Sequence, residues 1–77
     1  MTNLDERITI DPDVLNGKPV VRGKRIAVQT ILDFLSNGDD VEAILAEYPS
    51  LEREDIYACL RFASHLMENR YAIEPVV

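Results

Sequence analysis

The chain has 77 residues, a formal net charge of −6 and one cysteine. This length predicts one small domain, and 47% hydrophobic residues predict a chain that folds without a metal or a disulfide. No apolar run approaches the roughly 18 residues of a membrane span. Asp5, Glu6 and Arg7 are charged and stand where a signal peptide needs an apolar core, so we expect a soluble protein in the cytoplasm.

Charge is unevenly distributed along the chain. Residues 1–27 hold five basic and four acidic side chains, whereas residues 28–77 hold three basic and ten acidic ones. An acidic body with one basic strip argues against indiscriminate nucleic-acid binding, because such binding neutralises many phosphates. The strip contains half of the basic side chains: Lys18, Arg22, Lys24 and Arg25.

The N-terminal third of the chain predicts a β-hairpin. Residues 1–6 are polar, and we expect a flexible N-terminus there. Arg7–Ile10 alternates polar and apolar residues and is rich in β-branched side chains, which predicts a short strand. Lys18–Arg22 predicts the second strand, so the hairpin occupies residues 7–26.

The basic strip combines turn residues with cations. Glycine takes the positive φ of tight turns and proline fixes its own φ, so three residues are assigned to structural turns: Gly17, Pro19 and Gly23. Arginine binds phosphate or carboxylate in a bidentate way, which makes the four cations candidates for binding an anion or a protein partner. The alternative is that they are solvated charges on a hairpin edge, where cations discourage aggregation.

From Val28 onward, apolar residues recur at helical spacing. Three segments predict helices, at about residues 28–37, 40–47 and 52–69. Asp39 is the predicted N-cap of the second helix. The single domain therefore covers residues 7–70, and residues 71–77 form an apolar, proline-broken C-terminal tail.

The third predicted helix is apolar on more than one side. Its main stripe contains Ile56, Cys59, Leu60, Ala63 and Met67, with further apolar residues beside it. A second apolar face is unusual for a soluble monomer, so we expect a homodimer or another protein contact. The stripe also predicts that Cys59 is a buried core residue rather than a reactive thiol.

The last two helices and the short turn between them follow the helix-turn-helix plan. In a DNA-binding protein, the start of the last helix approaches base edges, and the candidate DNA-contacting residues are Arg53, Tyr57 and Arg61. Three acids at the same helix start, Glu52, Glu54 and Asp55, oppose phosphate. The alternative is a three-helix scaffold whose last helix only packs.

Enzyme chemistry finds little support in the sequence. His65 is the only histidine, and no spacing resembles a metal site, a nucleophile with its base or a phosphate-binding loop. We therefore predict a non-enzymatic protein with no catalytic residue, metal or cofactor.

The order of motifs in the hairpin resembles the bacterial domain of unknown function 433 family. The motifs are Ile8-Thr9-Ile10-Asp11-Pro12, then Gly17-Lys18-Pro19-Val20-Val21-Arg22-Gly23, then Arg25-Ile26, and the resemblance covers about residues 7–67. It implies a homeodomain-like three-helix fold with an N-terminal hairpin, and a VapB-like antitoxin whose partners are toxins with a PIN-like ribonuclease fold. Two departures stand out: Lys24 and Ala27 replace Thr and Pro, and Glu52-Arg53 replaces Thr-Pro.

Our hypothesis is a non-catalytic antitoxin of a type II toxin-antitoxin system that binds and inhibits a PIN-like ribonuclease. The basic strip, with Arg22 or Arg25 first, and the tail at residues 71–77 are equal candidates for that contact. The alternative is a helix-turn-helix transcriptional autoregulator that binds operator DNA.

Overall fold

The structure is a computed structural model that describes the backbone of residues 2–70 and the side chains of residues 5–68. Within these residues, four short strands precede three helices. The strands are β1 (Thr2–Asp5), β2 (Ile8–Ile10), β3 (Val20–Val21) and β4 (Ile26–Ala27); the helices are α1 (Val28–Ser36), α2 (Val41–Glu47) and α3 (Arg53–Arg70). The predicted fold class, a mainly helical domain with an N-terminal hairpin, is confirmed. The predicted tail at residues 71–77 lies outside the described residues.

The strands form one antiparallel sheet in chain order, and its two central strands are those of the predicted hairpin. Ile8 of β2 pairs with Val21 of β3, and Thr9 pairs with Val20. Successive side chains of a strand point to opposite faces of a sheet. Ile8 and Val21 therefore share the inner face, where they join the hydrophobic core, and Thr9 and Val20 share the outer face.

Two strands extend the hairpin beyond the prediction. The prediction of a flexible N-terminus over residues 1–6 is wrong for Thr2–Asp5, which forms β1 and pairs with β2. At the other edge, Ile26–Ala27 forms β4 and pairs with β3. Neither strand shows an alternating pattern of β-branched residues, because β1 is polar apart from one leucine and β4 has only two residues. Backbone hydrogen bonds to the central strands hold these short edge strands in the sheet.

Each helix begins and ends within one residue of its predicted bounds. The N-cap of α2 is Asp40, one residue later than predicted: its Oδ1 accepts a hydrogen bond from the backbone N–H of Ala43 at 2.9 Å. Such a bond satisfies one of the amide groups left free at a helix start.

The core lies between the inner face of the sheet and the three helices. Its most deeply buried members include Ile8, Val21, Ile31, Ile44, Ile56 and Cys59. The predicted stripe on α3 is correct for Ile56 and Cys59 but wrong for Leu60 and Met67, which are 46% and 57% exposed. The buried side of α3 continues instead through Ala58 and Phe62 because α1 and the sheet contact that side.

A buried carboxylate connects the sheet to the start of α3. Asp55 is only 4% exposed; its Oδ1 accepts a hydrogen bond from Nη1 of Arg7 at 2.9 Å, and its Oδ2 accepts one from the backbone N–H of Glu52 at 2.8 Å. The second bond is half of a capping box, in which the third residue of a helix accepts the N–H of the N-cap residue. Asp55 therefore caps the start of α3 although Glu52-Arg53 stands in place of Thr-Pro. Nη1 of Arg7 also contacts Oε1 of Glu52 at 2.8 Å, and the bonds to Glu52 and Asp55 raise the pKa of Arg7.

We predict that Asp55→Ala lowers the free energy of unfolding by about 2–4 kcal/mol, because it removes both the helix cap and the buried partner of Arg7. The matched control is Glu54→Ala, an exposed acid of the same helical turn, which should cost about 0.5 kcal/mol or less. Urea unfolding followed by circular dichroism measures both values. Equal losses in the two variants would contradict a structural role for Asp55.

Candidate partner-binding site

Three of the four strip cations lie on one tight loop. Because Val21 pairs with Ile26, the loop between β3 and β4 consists of residues 22–25, and we call it the basic loop. The backbone N–H of Lys24 donates to the carbonyl of Val21 at 3.0 Å, which closes a turn. Gly23 has φ +76°, a left-handed value that glycine takes without strain, in agreement with its predicted turn role.

The basic loop also holds an arginine in a left-handed backbone conformation. Arg25 has φ +56°, a value that is uncommon for a residue with a Cβ. Glycine would occupy this position with less strain, on the order of 1 kcal/mol. The conformation of Arg25 is therefore imposed by the loop and is not the preference of the residue.

The cations of the basic loop are exposed and form no ion pair within residues 5–68. The arginines that do form ion pairs there are Arg7, Arg53 and Arg61. The loop thus presents three free positive charges on four residues of a chain whose net charge is −6. This arrangement suits an anionic partner group, since arginine can hold a carboxylate through two hydrogen bonds.

Arg22 stands between two clefts. One, of about 300 Å³, is lined by charged side chains, namely Glu6, Arg7, Arg22, Lys24, Glu52 and Asp55. The other, of about 400 Å³, is lined by Thr9, Asp11, Val14, Val20, Arg22, Gly23 and Arg25. We call the second the outer-face cleft, because Thr9 and Val20 belong to the outer face of the sheet.

Lys18 is separated from the other strip cations. It precedes β3, whereas the basic loop follows that strand. With Pro19 it borders a third groove, of about 220 Å³, whose remaining lining comes from β4, α1 and α3: Ala27, Val28, Gln29, Leu32, Phe62 and Leu66. The four candidate cations therefore do not share one loop, because Lys18 and the basic loop lie at opposite ends of β3.

Gly17 and Pro19 have structural surroundings. Gly17 has φ +82° and ends a run of three positive-φ residues that begins at Leu15. A Cβ on Gly17 would lie 3.7 Å from the Cα of Pro12. The carbonyl of Pro19 accepts a hydrogen bond from the backbone N–H of Val28 at 3.0 Å, which positions the start of α1 beside β3.

Comparison with known proteins identifies the family. The model of the family described as "Protein of unknown function (DUF433)" matches residues 8–63. The chain belongs to the DUF433 family. The match begins with β2 and reaches into α3, so it contains the basic loop and the outer-face cleft, while β1 precedes it.

Two relatives illustrate the extent of the DUF433 similarity. "Uncharacterized protein y4eO" of Sinorhizobium fredii is 43% identical over 51 residues, which are 66% of this chain and 23% of that protein. The chain thus spans about a quarter of the length of this curated relative. A crystal structure of a DUF433 member protein from Anabaena variabilis has a TM-score of 0.77 at 32% identity, covering 84% of this chain and 64% of that chain.

The candidate DNA-contacting arginines of this DUF433 chain are bound to acids. Nη2 of Arg53 donates to Oε2 of Glu42, and Nε of Arg61 donates to Oδ2 of Asp5 at 3.0 Å. The bond from Arg61 lowers the pKa of Asp5, with a further contribution from the backbone N–H of Arg7. Tyr57, the third candidate, is 38% exposed. A phosphate would have to compete with a carboxylate for each arginine.

The residues considered for catalysis lie apart. Cys59 is fully buried, as predicted, and His65 is exposed on α3. Within the described residues, no group of three or more His, Cys, Asp or Glu side chains could hold a metal ion. The absence of enzymatic activity stays a prediction. The helices of residues 2–70 are also too short or too polar to cross a bilayer.

The outer-face cleft contains residues that the sequence reading did not single out for binding. Thr9 and Val20 belong to the two predicted strands, and Asp11 follows the first of them. Their common position follows from the pairing of β2 with β3, which places Thr9 opposite Val20. The alternation of each strand predicts which residues share a face, but the register of the pair decides which ones meet.

Burial, together with the negative charges of Asp55 and Asp5, raises the pKa of Cys59 to about 12. An unfolded thiol loses its proton near pH 8.5, so between about pH 9 and 12 only the unfolded state releases it and stability falls. We predict that the unfolding free energy of the wild type decreases relative to Cys59→Ala over this range, by up to about 1.4 kcal/mol per pH unit. Urea titrations at pH 7.5, 9 and 10 measure the difference, and a constant difference would contradict the prediction.

Proposed function

We propose that this chain is a non-catalytic, antitoxin-like protein that binds and inhibits a PIN-like ribonuclease, and that the basic loop makes the inhibitory contact. One observation carries the proposal: Arg22, Lys24 and Arg25 are exposed on a four-residue loop and have no ion-pair partner within the described residues. Cations that are buried or already paired with acids could not bind a partner. These three cations remain available for one.

The chemistry of the partner site supports this contact. PIN-like sites gather carboxylates around a divalent metal, and carboxylates are hard oxygen ligands that also accept arginine hydrogen bonds. An arginine that enters such a site can displace the metal or neutralise its ligands. The loop favours entry, because it is only four residues long and its cations are exposed.

The exposed side of α3 offers a second protein contact, separate from the basic loop. Tyr57, Leu60 and Met67 are between 38% and 57% exposed and recur at spacings of three and seven. Residues at these spacings lie on one side of a helix. We propose that this side of α3 packs against a second copy of the chain and forms the predicted homodimer.

The alternative function is DNA binding by α2 and α3 as a helix-turn-helix. Its support is the helix order, since a turn of five residues between Glu47 and Arg53 joins the two helices. The charges on α3 favour DNA binding less than they favour a protein contact. Arg53 and Arg61 bind carboxylates, and exposed Glu52 and Glu54 stand at the start of α3, where each would meet phosphate.

We predict that the ribonuclease encoded in the neighbouring reading frame co-purifies with the tagged chain, and that Arg22→Ala/Arg25→Ala weakens the complex at least 10-fold. Each lost charge-assisted hydrogen bond costs about 1.5–3 kcal/mol, which is 10-fold or more in affinity. Titration calorimetry measures the change. Lys18→Ala is the matched control, because Lys18 is an exposed strip cation outside the loop.

Two outcomes would contradict this assignment. Unchanged affinity in the double variant, with loss of binding on deletion of residues 71–77, would assign the contact to the tail. Binding of the free chain to its own promoter, with a steep salt dependence that Arg53→Ala abolishes, would support the transcriptional autoregulator.

We predict a solution mass of twice the 8.7 kDa chain, reduced to that of a monomer by Leu60→Glu/Met67→Glu, because two carboxylates in the apolar contact would be desolvated. Light scattering after gel filtration measures the mass. The control Gln29→Glu/Ala46→Glu adds the same charge on exposed positions of α1 and α2 and should remain dimeric. A monomeric wild type at high micromolar concentration would refute the dimer.

A further inference from the structure

The outer-face cleft has a floor that is already withdrawn from water. Thr9 is 6% exposed and Val20 is 3% exposed, although the helices cover only the opposite face of the sheet. Half-buried Val14 borders the floor on one side. The cleft, of about 400 Å³, is within the usual range for ligand pockets. Its base offers apolar contact to a small side chain.

The opposite rim of the cleft carries the two arginines of the basic loop. Arg22 and Arg25 are exposed and have no ion-pair partner within residues 5–68. Between them, a Cβ placed on Gly23 would meet no atom within 4 Å, so the space above the loop backbone is open. An incoming group can therefore approach both guanidinium groups.

The strained backbone of Arg25 is an independent sign of function. A left-handed position at a tight turn is one that glycine fills without penalty, yet this chain places an arginine there at φ +56°. Strained residues that persist in a fold cluster at binding sites. Contact between the Arg25 side chain and a partner would explain why an arginine is found at this strained position.

The lining favours a peptide over a nucleic acid. Asp11 stands on the rim, and one of its oxygens, Oδ1, accepts the backbone N–H of Asp13 at 2.9 Å. Its negative charge would repel a phosphate chain, whereas a peptide offers backbone N–H groups that a carboxylate accepts. The charged cleft on the other side of Arg22 suits an acidic segment less well, since Glu6, Glu52 and Asp55 line it.

We propose that the outer-face cleft binds a short segment of a protein partner in which an apolar side chain stands next to an acidic one. The apolar side chain contacts Val14 and Val20, and the carboxylate is held by Arg22 and Arg25. This inference rests on the proposed protein-binding function and adds the chemistry of the segment that is recognised. In this contact the outer face of the sheet selects the apolar side chain of the segment, and the arginines of the basic loop bind the acidic one.

Nuclear magnetic resonance with defined peptides tests the inference. The probe is the N-acetylated, C-amidated peptide Gly-Ser-Leu-Glu-Ser-Gly, whose only charge is the glutamate, titrated into the ¹⁵N-labelled full chain. We expect amide shifts at Thr9, Val14, Val20, Gly23 and Arg25. A peptide with Gln for Glu, and one with Ser for Leu, should each bind at least 10-fold more weakly.

The decisive variant is Arg25→Gly. Glycine suits the left-handed position, so this variant should fold with an equal or higher melting temperature while its affinity for the peptide falls at least 10-fold. Lys18→Ala should leave the peptide affinity unchanged. Unaltered affinity in Arg25→Gly would overturn the inference, as would shifts confined to the charged cleft or to α3.

Two further outcomes separate this inference from the proposed function. If the ribonuclease co-purifies but the peptide causes no shift at millimolar concentration, the peptide site is refuted and the antitoxin-like function stands. If the peptide binds as described but no ribonuclease co-purifies, the site stands and the antitoxin-like function is refuted. A short single-stranded oligonucleotide that shifts the same amides as strongly as the peptide would overturn the assignment to a peptide.

Discussion

The contact between Arg7 and Asp55 is the constraint on which the rest of the molecule depends. It joins the residue before β2 to the first turn of α3, 48 positions later in the chain. Asp55 also caps α3 through the N–H of Glu52, so one buried carboxylate orients the helix and holds the sheet against it. The backbone carbonyl of Arg7 accepts the N–H of Arg22 at 2.8 Å. Arg7 therefore positions the start of the basic loop relative to the helices.

This constraint gives the small sheet two different faces. The inner face contributes Ile8 and Val21 to the helical core. The outer face buries Thr9 and Val20 without a helix above it, because the segment from Asp11 to Val14 and the basic loop flank it. A small domain buries a smaller fraction of its chain's surface on folding than a large domain does. Two residues buried outside the main core are therefore unusual, and they form the floor of the cleft in which we propose that a partner segment binds.

The distribution of ion pairs separates structural cations from available ones. Arg7, Arg53 and Arg61 are held by carboxylates; the pairs of Arg7 and Arg61 join the N-terminal strands to α3, and the pair of Arg53 joins α2 to α3. The basic loop is left with free charge because, within the described residues, no acid lies within ion-pair distance of its cations. An acidic chain that keeps one basic loop free is better suited to a local acidic site on a protein than to the continuous charge of a duplex.

The sequence by itself determined the helices, the central hairpin and the burial of Cys59, because apolar periodicity, glycine and proline act through local geometry. It also located the basic loop, whose turn residues and cations are neighbours in the chain. Only the tertiary structure decided that Lys18 stands apart, that Arg53 and Arg61 are bound to acids, and that Thr9 and Val20 form the floor of a cleft. The physical reason is that ion pairing and strand register join residues far apart in sequence, and no local pattern records which distant residues meet.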